Sequence, residues 1–350
     1  MFTPFLTKRL PLLPTPLLHS LASRFFSAEP PPILGYPLNI KKSPKNKLYP
    51  TIIPEYLSYD DFIMQVQMDY TKLDDYHNIK FKTPSGSRYN YWLPAFVNND
   101  HFLRSQQYLF NSISIILNGV EGKEENDFKP DMVLKILPSI LVKTTLNFLK
   151  GKINNDIPEI DAYIQVYILL ARLVKMFPEI QRSIEQEIGD FYSNEENRKK
   201  TKDLEEFVIK QGLSSKGFGE SDVVNVLLKE YLKRRMVKFI KKDESLTGKE
   251  RFPGSLEDFI KENKLKNQLF LANIESVKFL IEKKGEEELL SEDVKKELQD
   301  KIERIKNSVG DNWETFIEGL GLAKFVSNEN VMREYIDDAY KFADKKDSSL

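Results

Sequence analysis

The chain has 350 residues, 52 of them Lys or Arg and 53 Asp or Glu, for a formal charge of −1, so it has room for one large domain or two smaller ones and implies no strongly charged partner. Its 41% hydrophobic and 30% charged residues are ordinary for a soluble globular protein. With no cysteine, disulfides, thiolate nucleophiles and Cys-ligated zinc or iron–sulfur clusters are excluded.

The first 28 residues carry Lys8, Arg9, His19 and Arg24 and no acid, and are rich in Leu, Phe and Ser. That is the composition of a mitochondrial transit peptide. Leu17, Leu18, Leu21 and Phe25 allow a short amphipathic turn, and Arg24-Phe25-Phe26-Ser27 has the arginine that a processing site needs, placing cleavage between Phe26 and Ser27. The expected address is therefore mitochondrial, in the matrix, with the cytoplasm as the alternative. Eleven of the 18 prolines precede residue 60, so residues 27–54 read as a Pro-rich extended arm with polyproline II character at Pro30-Pro31-Pro32.

A helix is predicted from Ser58, an N-cap residue, because Tyr59, Phe62, Ile63, Val66, Tyr70 and Leu73 recur at helical spacing. Residues 77–98 are the least helical stretch: alternation at Ile79, Phe81 and Thr83, a turn signal at Pro84-Ser85-Gly86, then alternation again at Tyr89, Tyr91 and Leu93. A small β-hairpin or irregular insert fits. From Asn99 onward the spacing predicts helices over about 99–118, 130–150 with a kink at Pro138, 158–176, 178–193, 201–211, 220–242, 255–284, 291–309, 313–325 and 328–345. Asp161–Val174 is apolar on nearly every side and belongs at the centre of the core. Within it, Tyr163–Val174 is the best approach to a membrane-spanning stretch, and, interrupted by Gln165 and Arg172, it is too short to cross a bilayer. The fold class is thus all-α: an irregular multi-helix bundle or short helical array with a small non-helical insert near 77–98. The domain organisation reads as transit peptide 1–26, arm 27–54, main helical domain 55–242 and C-terminal helical subdomain 255–347, with the loop 243–254 as the edge.

Few residues suggest chemistry. Beyond the leader only His77 and His101 remain, with no ligand partner at helical spacing, so no metal site is expected. His101 follows Asp100 near a helix start and reads as a capping or surface residue. The glycine cluster from Gly212 to Gly219 lacks the Lys-Ser/Thr after its second glycine and the preceding strand that a phosphate loop requires. It reads as a helix connection. Lys229, Lys233, Arg234, Arg235, Lys238, Lys241 and Lys242 make one helix end basic and a candidate edge for an anionic partner, RNA or lipid phosphate. These cations spread around the helix, as also suits a solvated face and a helix C-terminus. Val294, Leu298, Ile302, Ile305 and Val309 suit a two-helix contact, and Tyr89, Tyr91, Trp92 and Phe96 read as rings packed in a core more than as a base-stacking platform.

Ile79-Lys-Phe-Lys-Thr-Pro-Ser-Gly86, Tyr91-Trp-Leu-Pro94 and Phe128-Lys-Pro-Asp-Met-Val-Leu-Lys-Ile-Leu-Pro138 resemble, over about residues 79–240, a helical region of long protist proteins that also carry ubiquitin-conjugating-enzyme-like cores. Conjugation by such cores depends on a Cys, so the resemblance implies no conjugating activity here. The expectation is a non-catalytic mitochondrial scaffold or accessory subunit with protein partners, no cofactor and no transmembrane span. The alternatives are a helical RNA-binding factor using the 229–242 edge, and a cytosolic ubiquitin-linked adaptor if the leader is not a transit peptide. An enzyme built only on carboxylates, Lys and Tyr stays open, because such a site needs no contiguous motif.

Overall fold

A computed structural model describes residues 30–42, 48–68, 81–121, 127–151, 157–218, 221–240 and 256–308, together with Thr315, Glu318 and Val331 singly. The leader and its processing residues Arg24, Phe26 and Ser27 lie outside the described residues, as do His77, the loop 243–254, and almost all of the two helices expected beyond residue 312. Helix dominates the described residues. The strands are β1 (Leu34–Lys42), β2 (Leu48–Ile52), β3 (Leu57–Ser58), β4 (Phe81–Lys82), β5 (Arg88–Tyr89) and β6 (Tyr91–Pro94). The helices are α1 (Tyr59–Met68), α2 (Asn99–Glu121), α3 (Met132–Leu149), α4 (Ile157–Met176), α5 (Pro178–Ser193), α6 (Glu195–Lys200), α7 (Leu204–Leu213), α8 (Ser221–Ile240), α9 (Leu256–Ile281), α10 (Glu286–Leu289) and α11 (Glu292–Ser308). The fold is mostly helical with a small β portion.

The described residues form two compact units, one drawn from 1–144 with 156–180, the other from 145–155 with 181–350. In the first, β1 is the central strand of a small antiparallel sheet. It pairs with β2 through Leu38–Lys42, with β3 through Leu34 and Gly35, and with β6 through Gly35–Leu38. Proline density masks this strand in the sequence, yet Tyr36, Leu38 and Ile40 alternate and are buried. Pro37, which cannot donate to the ladder, still has its carbonyl taken by the Ile53 N–H. Where β6 ends, Asn90 continues the pairing with its side chain: Oδ1 accepts from the Ile40 N–H at 2.9 Å and Nδ2 donates to Ile40 O. Gly35 has to be glycine, since a Cβ there would lie 2.4 Å from the Trp92 ring and 2.5 Å from Leu93 O.

Ser58 caps α1, accepting from the Asp61 N–H at 3.1 Å while donating to its carboxylate. The inner face of α1 joins an aromatic cluster: Phe62 stacks on Trp92 with centroids 5.9 Å apart and meets Phe81 edge-on at 6.0 Å, and the indole N–H donates to Leu57 O. Tyr89, Tyr91, Trp92 and Phe96 are all buried, and the hairpin β4–β5 turns at Gly86, whose φ is +86°. Helix α4 is buried along nearly its whole length. Its one cation in the apolar stretch, Arg172, reaches the Phe96 and Phe102 rings at 4.8 and 4.7 Å and donates to Asn99 Oδ1. α3 continues through Pro138, which removes one backbone donor without ending the helix.

In the second unit α9 packs against α7, α8 and α11. Gly212 of α7 permits the close approach to α9, because a Cβ in its place would come within 2.1 Å of Val277 Cγ1. Val294, Leu298, Ile302 and Ile305 form the buried stripe of α11, at the spacing expected for a two-helix contact. Two short helices, α6 and α10, have no apolar period to announce them. α6 has no buried residue and rests on its Asn194 cap, acids in its first turn and bases in its last.

Candidate functional site

The basic run on α8 faces the chain's own acids and carbonyls. The guanidinium of Arg234 donates from Nη1 to Thr201 O and from Nη2 to Arg198 O, both at 2.6 Å, and from Nε to Glu230 Oε1 at 2.8 Å. It therefore caps the carbonyl end of α6, where a cation also complements the helix dipole. Arg198 Nε adds a longer contact to Glu230 at 3.7 Å. Lys233 pairs with Glu195, and that hydrogen bond holds the Glu195 carboxyl below its ordinary value, against a smaller opposing effect of burial. Lys229 and Lys238 are exposed, and Lys241 and Lys242 lie outside the described residues.

The remaining member, Arg235, turns to α7 and α9. Its Nη2 donates to Glu205 Oε1 at 3.2 Å and its guanidinium carbon lies 5.1 Å from the centre of the Tyr231 ring. Tyr231 stacks flat on Phe270 at 3.9 Å and donates its hydroxyl to Asn267 Oδ1 at 3.0 Å. Burial raises the Glu205 carboxyl pKa, Asp203 pushes it further, and Arg235 opposes both. Lys266, though exposed, has its ammonium pKa lowered by desolvation; Glu205 is the largest opposing charge, with Arg235 and Lys238 adding smaller lowering effects. Two buried donors in this network have no acceptor among the described residues: Arg235 Nε and Asn267 Nδ2. Carboxylate, Lys and Tyr thus do meet in this chain, at a place no sequence motif marks. Glu205 lies 30 residues from Arg235 along the chain, so only the packing of α7 on α8 and α9 unites them.

The first unit holds a second polar group of side chains. Tyr56 donates to Asp161 Oδ2 at 3.1 Å, and Gln165 Nε2 donates to Tyr56 Oη at 2.6 Å and to Asp161 Oδ2 at 2.8 Å. Tyr36 stacks on Tyr56 at 5.0 Å, and burial drives the Tyr36 phenol far above its ordinary pKa. His101 is not the surface residue its sequence position suggests. It is buried, its Nε2 accepts from the Leu34 N–H at 2.8 Å, and the capping role falls to Asn98, whose Oδ1 accepts from the His101 N–H. An acceptor at Nε2 places the ring's proton on Nδ1. Desolvation, then Arg104, lowers the His101 pKa, opposed by the Ala95 carbonyl.

Among the described residues no group of three or more His, Asp or Glu is arranged to hold a metal ion. One helix among them, α3, is long and apolar enough to cross a membrane, and 67% of it is buried within the protein; this is a different stretch from Tyr163–Val174. What the geometry defines is a mostly helical protein with two self-contained polar networks. No protein-family model matches the chain and no curated protein matches it.

Proposed function

We propose that this chain is a non-catalytic scaffold or accessory subunit of a mitochondrial protein assembly. The observation that carries this reading is the fate of its most basic helix. Lys233, Arg234 and Arg235 are each engaged by the chain's own carboxylates or carbonyls, which makes α8 an internal brace more than a surface for nucleic acid. For partner contact, the first unit leaves large apolar side chains in water, with Leu103 57% and Met64 50% exposed and Tyr49 and Tyr56 also exposed. The transit-like leader supports the address.

The test is affinity purification of the tagged protein from isolated mitochondria in mild detergent, identifying co-purifying proteins, nucleic acid and the N-terminus together. Stoichiometric protein partners and a chain starting at Ser27 are expected. Monomer alone would refute the scaffold, and recovery from the cytosol with Met1 intact would refute the address and favour a cytosolic adaptor. Salt-sensitive RNA binding that disappears when Lys229 and Lys238 are replaced by Glu would replace the scaffold with an RNA-binding factor.

A further inference from the structure

The start of β1 is fastened to α2 through a titratable side chain. Pro31 O accepts from Arg104 Nη1, Ile33 O from the Tyr59 N–H and Leu34 O from the Ala95 N–H, while the Leu34 N–H is given to His101 Nε2 at 2.8 Å. The guanidinium and backbone donors hold their protons throughout the physiological range. The bond to His101 needs a lone pair on an imidazole, and a proton on Nε2 removes it. His101 is 3% exposed, so a protonated ring sets its own N–H against the Leu34 N–H in a shielded place, two donors where one bond stood. The charged groups described around the ring do not favour an imidazolium. Arg104, on the same helix, opposes it, and Arg172 of α4 lies over the adjoining Phe102 ring. β1 and the link after β6 bring backbone groups to the ring, the Leu34 N–H and the Ala95 carbonyl, and the lysines of β1, Lys41 and Lys42, stand at its far end. Asp100, next to His101 in the chain, is exposed. The acids of α1 act elsewhere, Asp61 on the Ser58 cap and Asp60 on Tyr59 and Tyr108.

We propose that the hydrogen bond from Leu34 to His101 is an acid-sensitive latch: the neutral ring fastens the N-terminal end of β1 to α2, and protonation of Nε2 releases residues 31–34 while the rest of β1 stays in the sheet. What holds the remainder does not titrate in this range, since Leu38–Lys42 pair with β2 through the backbone and Ile40 is held by the Asn90 amide. Ile33, packed against the cluster of Phe62, Phe81 and Trp92, leaves with the released segment. The opened form therefore uncovers an apolar, aromatic margin that the latched form hides. The direction follows from the proton count. The latched ring is neutral and the released ring has an ordinary pKa of about 6.5, so opening takes up a proton and its equilibrium rises by up to about tenfold for each pH unit below that value.

The experiment is amide hydrogen exchange of the full chain, read by mass spectrometry on peptides spanning residues 31–42 and corrected for the intrinsic pH dependence of exchange. Between about pH 7.5 and about pH 5, protection at Ile33 and Leu34 is expected to fall by at least about tenfold, while Ile40 and the amides of α9 keep theirs. His101→Gln, whose amide oxygen still accepts from Leu34, is expected to hold protection there level across the same range. Protection at Leu34 that does not change with pH, or that falls equally in His101→Gln, overturns the latch. So does a parallel loss at Leu34, Ile40 and α9, which is global unfolding and not release of one segment. The outcome is independent of whether the chain is a scaffold, because no partner enters the measurement.

Discussion

Replacing Arg234 by alanine deletes three hydrogen bonds from one guanidinium: two to the carbonyls of Arg198 and Thr201 at the end of α6, and one to Glu230. The side chain is 26% exposed and that of Glu230 10%, so water can compensate only in part. Hydrogen bonds to a charged group are worth about 1.5–3 kcal/mol each when well shielded. The two carbonyls, at a helix end, can recruit solvent, whereas Glu230 keeps only the longer contact to Arg198. Taken together these set the loss at about 2–4 kcal/mol, short of the sum because the three bonds share one group. Arg234→Lys retains the charge but not the planar fork that reaches two carbonyls at once, so it recovers less than half. The assay is urea denaturation of the full chain with amide exchange of α6 followed in parallel. Exchange at Arg198–Thr201 should accelerate in both variants, most in the alanine. A loss below about 0.5 kcal/mol, the range of an ordinary surface substitution, refutes the brace and returns Arg234 to the pool of cations free for a partner.

Three further outcomes follow from single contacts. Asn273 is fully buried and neither end of its amide meets a partner among the described residues, so Asn273→Leu should raise stability by about 1–3 kcal/mol; a destabilised variant means that an enclosed polar occupant satisfies it. Gly212→Ala pushes a methyl to 2.1 Å from Val277 Cγ1 and should lower stability by about 1–3 kcal/mol, and combining it with Val277→Ala should cost less than the two changes added; strict additivity in that double-mutant cycle sinks the close-approach argument. Because the His101 pKa is lowered in the folded chain, the folded state binds fewer protons than the unfolded one as pH falls below about 6.5, and stability is lost on that acid side. Denaturation midpoints measured between about pH 7.5 and about pH 5 should fall less steeply in His101→Gln, whose amide oxygen can still accept from Leu34; an unchanged slope rules His101 out as the titrating group.

The long helices were legible because their apolar residues recur along one face and their ends carry ordinary caps: Ser58, Asn98 and Asp203 all accept from a backbone N–H two or three residues into the following helix. Asp203 also explains why the helix expected at 201 begins at 204. The sheet was half legible. The 81–94 stretch alternates openly, but its partner β1 carries Pro37 and follows Pro30–Pro32, and a proline-dense segment argues against a central strand on propensity alone. β1 forms because tertiary pairing outweighs that propensity: strands on both sides, an aromatic cluster beneath, and Asn90 standing in for the ladder where a neighbouring strand stops.

A run of cations in a sequence leaves its counter-charges unstated, and α8 shows why. The acids that answer Lys233 and Arg235 are 38 and 30 residues away, on α6 and α7, and the acceptors of Arg234 are carbonyls, which no composition count registers. A helix whose bases circle its axis can meet a partner on several faces at once, so the same spread that weakened the reading of one RNA-facing stripe is what lets α8 hold α6 with one arginine and reach Glu205 with the next. That division also locates the residual charge. Of the basic run within the described residues, Lys229 and Lys238 stand exposed, so an anionic partner would meet the helix at those two positions and not at Arg234 or Arg235.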